Sequence, residues 1–282
     1  MPASDPAALA RDIKAAQDHA ASIAPVSARF PRFGLDAAYE VAARIHRARL
    51  AEGAQAVGRK IGFTNPAMWA ALGVDFPVWG RVYAHTLFQD DGGEFRCRLD
   101  RYVEPRIEPE IVLHFGAAPP RTDDPARILD CVDWIAHGFE LVQSHYPAWQ
   151  FQAADTVADN ALHAALFVGP RLEPADLGPG LTRPGLTWPS LADRLARFQV
   201  ELSCNGVLRE TGCGANVLGS PLAAVAHLLA ALADRPADEA IQAGELVTTG
   251  TLTRAYPVHP GETWSTALDG IGLPGMRIAF EE

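Results

Sequence analysis

From Val57 onward the sequence is a succession of short β-like runs, "VGRKIGF", "GRVYAHTLF", "RIEPEIVLHF", "FELVQSH" and "ALHAALFVG", each cut by glycine or proline. Short runs of this kind lack the alternation of strand and long helix that builds a doubly wound sheet. Ahead of them, residues 1–55 are alanine-rich and helical in pattern. Asp5 and Pro6 supply a cap and a first-turn proline, and a second helix is predicted from about Asp36 to Gly53. In it Ala38, Val41, Ile45 and Ala48 recur at helical spacing and form one core-facing stripe. The chain thus divides into a helical part, residues 1–55, and a β-rich part, residues 56–282.

Further along, a Pro/Gly-rich loop ("LEPADLGPGLTRPGLTWPS") precedes "RFQVELSCNGVLRETG", which predicts a hairpin turned at Asn205-Gly206, a pair suited to a type I′ turn. Ser220 and Pro221 then open a helix to about Ala233, and strands return at "GELVTTGTL" and "GMRIAF".

A chain of 282 residues, 48% hydrophobic, buries a proper core without staples. Its formal net charge of -10, with no Lys/Arg-dense run, argues against nucleic acid as a partner. Cys97, Cys131, Cys204 and Cys213 show no metal-ligand spacing, and no charged segment followed by an apolar one opens the chain. The apolar stretch "PLAAVAHLLAALA" falls short of the ~20 residues a membrane span needs. A reduced, cytoplasmic protein without a membrane segment is the expectation.

"RIEPEIVLHF" is mispatterned for a half-buried strand. Ile107, Ile111 and Leu113 alternate with Glu108 and Glu110, so both carboxylates share one face, about 7 Å apart. Like charges at that distance repel by ~2 kcal/mol at an effective dielectric of 20. Either the face is solvated, or a cation sits between them: a hard divalent ion such as Mg²⁺, or a Lys or Arg. Pro109 between the two carboxylates suggests a sheet edge or a bulge. Glu140 in "GFELVQSH" is set among Phe139 and Leu141 in the same manner and completes a possible ligand set.

Lys60 stands in an apolar, glycine-flanked run. Buried there it would have a depressed pKa and exchange protons near neutrality; otherwise it snorkels to the surface. Asp155, Asp159 and Asn160 in "DTVADNALHAALFVG" read as a turn before a buried strand. "TGCGANVLG" fails the spacing of a phosphate loop, and no GxSxG elbow is present. His85, His114, His137, His145 and His163 never recur at metal-ligand spacing and read as structural.

Taken in order, "VGRKIGFT", "RIEPEI", "FELV", "DTVADNA", "VLGSPL" and "TGTL" resemble the 2-keto-4-pentenoate hydratase family of the fumarylacetoacetate hydrolase superfamily. The resemblance runs from "IAPVSARFP" to "GIGLPGMRIAF". It implies an α+β, mainly β fold, a mixed β-roll around a divalent-metal site with an N-terminal helical part. It implies Glu108, Glu110 and Glu140 as ligands of Mg²⁺ or Mn²⁺, and Lys60 as the catalytic acid/base. Around the substrate it implies Ile61, Gly62, Phe63, Val78, Asp159, Asn160, Leu162 and Thr249. The activity implied is addition of water to a 2-hydroxydienoic or 2-oxo-enoic acid of aromatic catabolism, the ion stabilising enolate charge. A homo-oligomer is implied too, with a pathway aldolase or decarboxylase as a possible companion.

Three departures stand out. Val78 occupies a position where the family usually has Asp, Leu162 one where Ser is common, and Ser220 one where His is frequent. These keep alternatives open: decarboxylation of a related 2-oxo-enedioic acid on the same site, acylpyruvate-type C–C hydrolysis, or a non-catalytic metabolite-binding homologue.

Overall fold

A computed structural model describes residues 5–66, 69, 73–177, 186–233, 235 and 239–282. Residues 178–185 of the Pro/Gly-rich loop lie outside the described residues. The first helix, Pro6–His19, starts as its sequence dictates: the Asp5 side chain accepts from the Ala7 N–H, and Pro6 opens the first turn. A short helix at Val26–Arg29 follows, then Leu35–Ala51, which buries Ala38, Val41 and Ile45 of the predicted stripe and leaves Ala48 half-buried.

Thirteen strands follow among the described residues: β1 (Ala56–Gly62), β2 (Val78–Tyr83), β3 (Leu87–Gln89), β4 (Glu94–Arg98), β5 (Arg106–Phe115), β6 (Val132–Val142), β7 (His163–Leu172), β8 (Gln199–Cys204), β9 (Val207–Cys213), β10 (Leu246–Thr248), β11 (Tyr256–Pro257), β12 (Thr263–Asp269) and β13 (Arg277–Glu281). They make a mixed sheet in the order β2-β1-β10-β5-β6-β7-β3, with β11 also on β5, and a second sheet in the order β4-β13-β12-β8-β9. The fold is α+β. Because β2 packs against β7, the large sheet is rolled, and its concave face looks inward.

Alternation along β5 assigns the two faces. Ile111, Leu113 and Phe115 join the main core with the helix Pro221–Leu232, while Ile107 packs with Phe139, Leu141 and Phe167 against the second sheet. The other face of β5 carries Glu108, Glu110 and Val112 inward, and Val112 joins Val82, Leu166, Val168 and Leu246 in the floor of the roll. One apolar stretch, Gly214–Leu232, reaches 19 residues and is apolar enough to cross a membrane by composition. In the fold its Leu222, Ala224, Val225, Leu228 and Leu232 are buried in the main core, as befits a core helix.

The N-terminal helices close one side. Leu9, Ile13, Val41 and Ile45 pack on Ala154, Val157 and Ala158 of the helix Ala153–Ala158 and on Val78, so they back the wall of the roll. The hairpin turns where predicted, with Asn205 at φ 51 and Gly206 at φ 77 between β8 and β9.

Of the two placements expected for Pro109, a sheet edge or a bulge, the edge is excluded: it is in the centre of the sheet. β5 pairs with β6 along its length, whereas on its other side β10 pairs only with residues 112–114 and β11 only with 106–107. The proline occupies the gap, where the chain bulges away and returns one bond, Leu252 N–H to Pro109 O, 2.8 Å. Its missing N–H costs no ladder bond there.

Candidate active site

Register brings the three glutamates together. Glu108 is paired directly across from Glu140 of β6, and Glu110 lies opposite Gly138, where a side chain would collide with Val112. Two carboxylates facing each other on neighbouring strands destabilise a sheet unless something neutral or positive intervenes. Ligand oxygens of Glu108, Glu110 and Glu140 all lie within 4.8 Å of one another. Glu110 and Glu140 are fully buried, and Glu108 retains a partial opening to solvent.

Glu110 and Glu140 each have one oxygen held by hydrogen bonds and one without a well-directed one. Glu110 Oε2 accepts from the Gly250 N–H at 2.7 Å and from the Thr248 hydroxyl, the contact that the bulge between β10 and β11 creates. Its Oε1 is buried without a hydrogen-bond partner. Glu140 Oε1 faces His163 Nδ1 at 2.8 Å, and Oε2, 3.1 Å from Lys60 Nζ, makes no well-directed hydrogen bond.

Lys60 enters from β1, between Gly80 of β2 and Thr248 of β10. It is buried rather than snorkelling, at 3% exposure, and donates to Ala161 O at 3.0 Å. That carbonyl is delivered by a run of three left-handed residues, Asn160, Ala161 and Leu162, at φ 54, 52 and 63. Non-glycine residues rarely adopt this conformation even singly, so the run must be held by its surroundings. Asn160 supplies the hold: its side-chain amide accepts from Arg81 N–H at 2.8 Å and donates to Arg81 O at 2.9 Å, pinning the turn to β2.

Electrostatics corrects a second expectation. Burial alone would depress the Lys60 pKa, but attraction from Glu140, Glu108 and Glu110 outweighs it and holds the ammonium above its ordinary value. Burial pushes the Glu108 carboxyl up to about 8 and raises those of Glu110 and Glu140. His163 is driven down to about 3 by burial and by Lys60, so it is neutral.

Do these residues fit a divalent metal? Three carboxyls face one ammonium, so with all three ionised the buried site would carry negative charge that Lys60 alone does not balance. Glu110 Oε1 is buried without a hydrogen-bond partner, a state that is costly unless a cation completes it, and Glu140 Oε2 meets only the Lys60 ammonium, at 3.1 Å. All-oxygen donors of this hardness suit Mg²⁺ or Mn²⁺. The set fits.

Of the other residues expected near a substrate, Gly62 and Val78 line the space beside Lys60. A Cβ on Gly62 would be 3.4 Å from Val78 Cγ2 and 3.6 Å from Lys60 Nζ. Leu162 is buried against Val142 and Tyr146. Phe63 adopts φ 59 and packs on the N-terminal core. Ile61, on the opposite face of β1 from Lys60, belongs to the main core. Thr249 donates to Ile111 O at 3.0 Å and so fastens the β10 end to β5. Both oxygens of Asp159 are taken up, by His145 Nδ1 at 2.8 Å and Gln17 Nε2 at 2.9 Å, which ties the turn to the first helix. Sequence reasoning missed Thr248, Gly250 and His163 as partners of the glutamates. For His163 no local signal existed, because its face is set by the register shift between β6 and β7.

Residues 86–278 match the family described as fumarylacetoacetate (FAA) hydrolase C-terminal. The chain is 32% identical over 277 residues to 4-oxalocrotonate decarboxylase of Pseudomonas putida, covering 96% of each. It is also 32% identical over 269 residues to 2-keto-4-pentenoate hydratase 1 of Dechloromonas aromatica (strain RCB), covering 94% of each. Among solved structures it resembles 4-oxalocrotonate decarboxylase from Pseudomonas putida G7, complexed with magnesium and adipate, with a TM-score of 0.84 at 29% identity, covering 98% of this chain and 97% of that one.

Proposed function

The chain belongs to the fumarylacetoacetate hydrolase family, and we propose that it is a divalent-metal-dependent lyase that adds water to a 2-hydroxydienoic or 2-oxo-enoic acid. The observation that carries the reading is the inward-facing triad of Glu108, Glu110 and Glu140, with Glu110 Oε1 orphaned, against the buried ammonium of Lys60. The three glutamates would hold Mg²⁺ or Mn²⁺, which when bound supplies Lewis-acid stabilisation of the charge that develops on a 2-oxo acid. Lys60 is the group that moves the proton. Ala161 O and Glu140 fix the direction of its ammonium, and burial excludes bulk water as a competing acid. Gly62, Val78 and Leu162 shape an apolar wall for the carbon chain of the substrate. The same reading makes the protein a cytoplasmic homo-oligomer acting on a small 2-oxo acid.

One observation favours a second reading, decarboxylation of a related 2-oxo-enedioic acid. Val78 is 1% exposed and stands beside Lys60, so the position offers no second acid or base to direct water. Loss of CO₂ needs none. The relatives include named enzymes of both kinds.

Products separate the two. Purified protein, with and without Mg²⁺, is incubated with 2-hydroxypenta-2,4-dienoate and with longer and dicarboxylic homologues while dienol absorbance and CO₂ are followed. Metal-dependent loss of the dienol without CO₂ is expected; CO₂ release selects the second reading, and no metal-dependent turnover of any of them contradicts both. Val78→Asp is expected to raise hydration of the small dienoate by about tenfold or more, since a positioned acid/base contributes at least that.

The metal reading also predicts proton release. Glu108, raised to about 8, is largely protonated at pH 7 and must lose its proton to act as a ligand. Calorimetric titration of Mn²⁺ at pH 7 in two buffers of different ionisation enthalpy should therefore show net proton release and tighter binding as the pH approaches 8 to 9. Equal heats in both buffers would mean that no raised carboxyl is used.

A further inference from the structure

His163 is a buried histidine whose position in the fold is not what strand alternation dictates. Glu140 is paired with Leu166 of β7, so Leu166 and, two residues away, Ala164 would share its face and His163 would point to the other side. The register shifts between Leu141 and Val142, however, and His163 becomes the partner of Val142, which lies on the same face as Glu140. A bulge of one residue re-aims the imidazole. The outcome is the 2.8 Å contact from His163 Nδ1 to Glu140 Oε1, with the other ring nitrogen, Nε2, 2.9 Å from Thr86 Oγ1.

An ionised carboxylate only accepts, so Nδ1 is the ring atom that carries the proton in this contact; Nε2 faces the Thr86 hydroxyl, whose one proton is shared between it and Tyr83 O at 3.0 Å. The side chain is 1% exposed, which leaves no water to compete for either nitrogen. The same loop end acts twice: Ala161 O orients Lys60, and His163, two residues later, orients Glu140.

We propose that His163 is a positioning residue for the metal site: its Nδ1–H holds Glu140 Oε1 and thereby keeps Oε2 turned toward Lys60, Glu108 and Glu110. This rests on the reading of the three glutamates as metal ligands. The bond engages Oε1, the oxygen of Glu140 opposite the one that Lys60 faces. Partners that orient a ligand from behind set metal affinity, and their loss weakens it by about 10- to 100-fold.

Calorimetric titration with Mn²⁺ alone tests the assignment on the wild type, His163→Asn, His163→Gln and His163→Ala. The amide nitrogen of Asn can take the place of Nδ1, whereas that of Gln lies near Nε2, so the two polar variants separate the bond to Glu140 from the bond to Thr86. His163→Gln and His163→Ala are expected to bind Mn²⁺ about 10- to 100-fold more weakly, and His163→Asn within about threefold of wild type. Thermal melts of the metal-free variants show which are folded, and should Ala fail, the Asn and Gln pair decides alone. A wild type that binds Mn²⁺ beside a Gln variant that binds as tightly, or an Asn variant as weak as Gln, overturns the role of His163. A wild type that binds no Mn²⁺ overturns the metal reading, and this proposal with it.

Discussion

Replacing Lys60 by methionine is expected to lower turnover of the 2-oxo acid substrate by about 10²- to 10⁴-fold, the range a positioned acid/base contributes. Methionine matches the stem of the side chain up to Cε, ending one atom short of the ammonium, and keeps its apolar packing, so the loss reports the ammonium. Mn²⁺ binding should survive, because removal of a positive charge beside Glu108, Glu110 and Glu140 leaves the carboxylates more, not less, attractive to a cation. Stopped-flow turnover and calorimetry on the same preparation separate the two effects. A variant that retains wild-type turnover would remove Lys60 from the chemistry.

The second large effect falls on Glu108. Glu108→Gln keeps the shape of a side chain that faces Glu140 across the sheet but loses its charge and one ligand oxygen. Mn²⁺ affinity is expected to fall by about 100-fold or more, beyond what loss of an outer partner costs. Stability of the metal-free protein is expected to move the other way. The folded-state carboxyl of Glu108 is raised from 4.5 to about 8, so the folded protein holds a proton there that the unfolded chain has lost, and stability declines as pH rises through that window. Glutamine does not titrate. Metal-free Glu108→Gln should therefore melt at or above the wild-type temperature, with the gap wider at pH 9 than at pH 6. A variant that is less stable at pH 9 than the wild type would show that Glu108 is satisfied in the fold without an ion.

Much of this site was legible in the sequence because its signals are local. Alternation within "RIEPEIVLHF" puts Glu108 and Glu110 on one face, and the same logic isolates Glu140 between Phe139 and Leu141. Caps at Asp5 and Ser220 and the Asn205-Gly206 turn were equally local, and the structure has all three. What escaped the sequence depends on register. That Glu108 meets Glu140 is a property of how β5 and β6 align, and no window of either strand contains it. The direction of the Lys60 pKa follows from carboxylates on two other strands, so burial, which its apolar neighbours left open beside a snorkelling placement, gave the wrong sign by itself. Pro109 read as an edge or bulge residue because a proline donates no ladder bond, and only the gap between β10 and β11 shows how a central strand accommodates it. His163 was invisible for the same reason: its face is chosen by a bulge in β7.

The left-handed run Asn160–Leu162 shows how strain and function meet. Three successive residues in a sparsely populated conformation are stabilised by Asn160 on Arg81 and by Asp159 on His145 and Gln17, so the first helix and β2 together brace the turn that aims Lys60. The N-terminal helices are thus tied to the site, although none of the proposed metal ligands comes from them.

The central claim is that Glu108, Glu110 and Glu140 together hold one divalent ion. Crystals grown with Mn²⁺ and oxalate, a mimic of the 2-oxo acid head, test it through the anomalous signal of manganese. A single peak within bonding distance of all three carboxylates, with oxalate on the side facing Lys60, is the predicted result; a peak elsewhere, or none at saturating Mn²⁺, would contradict it.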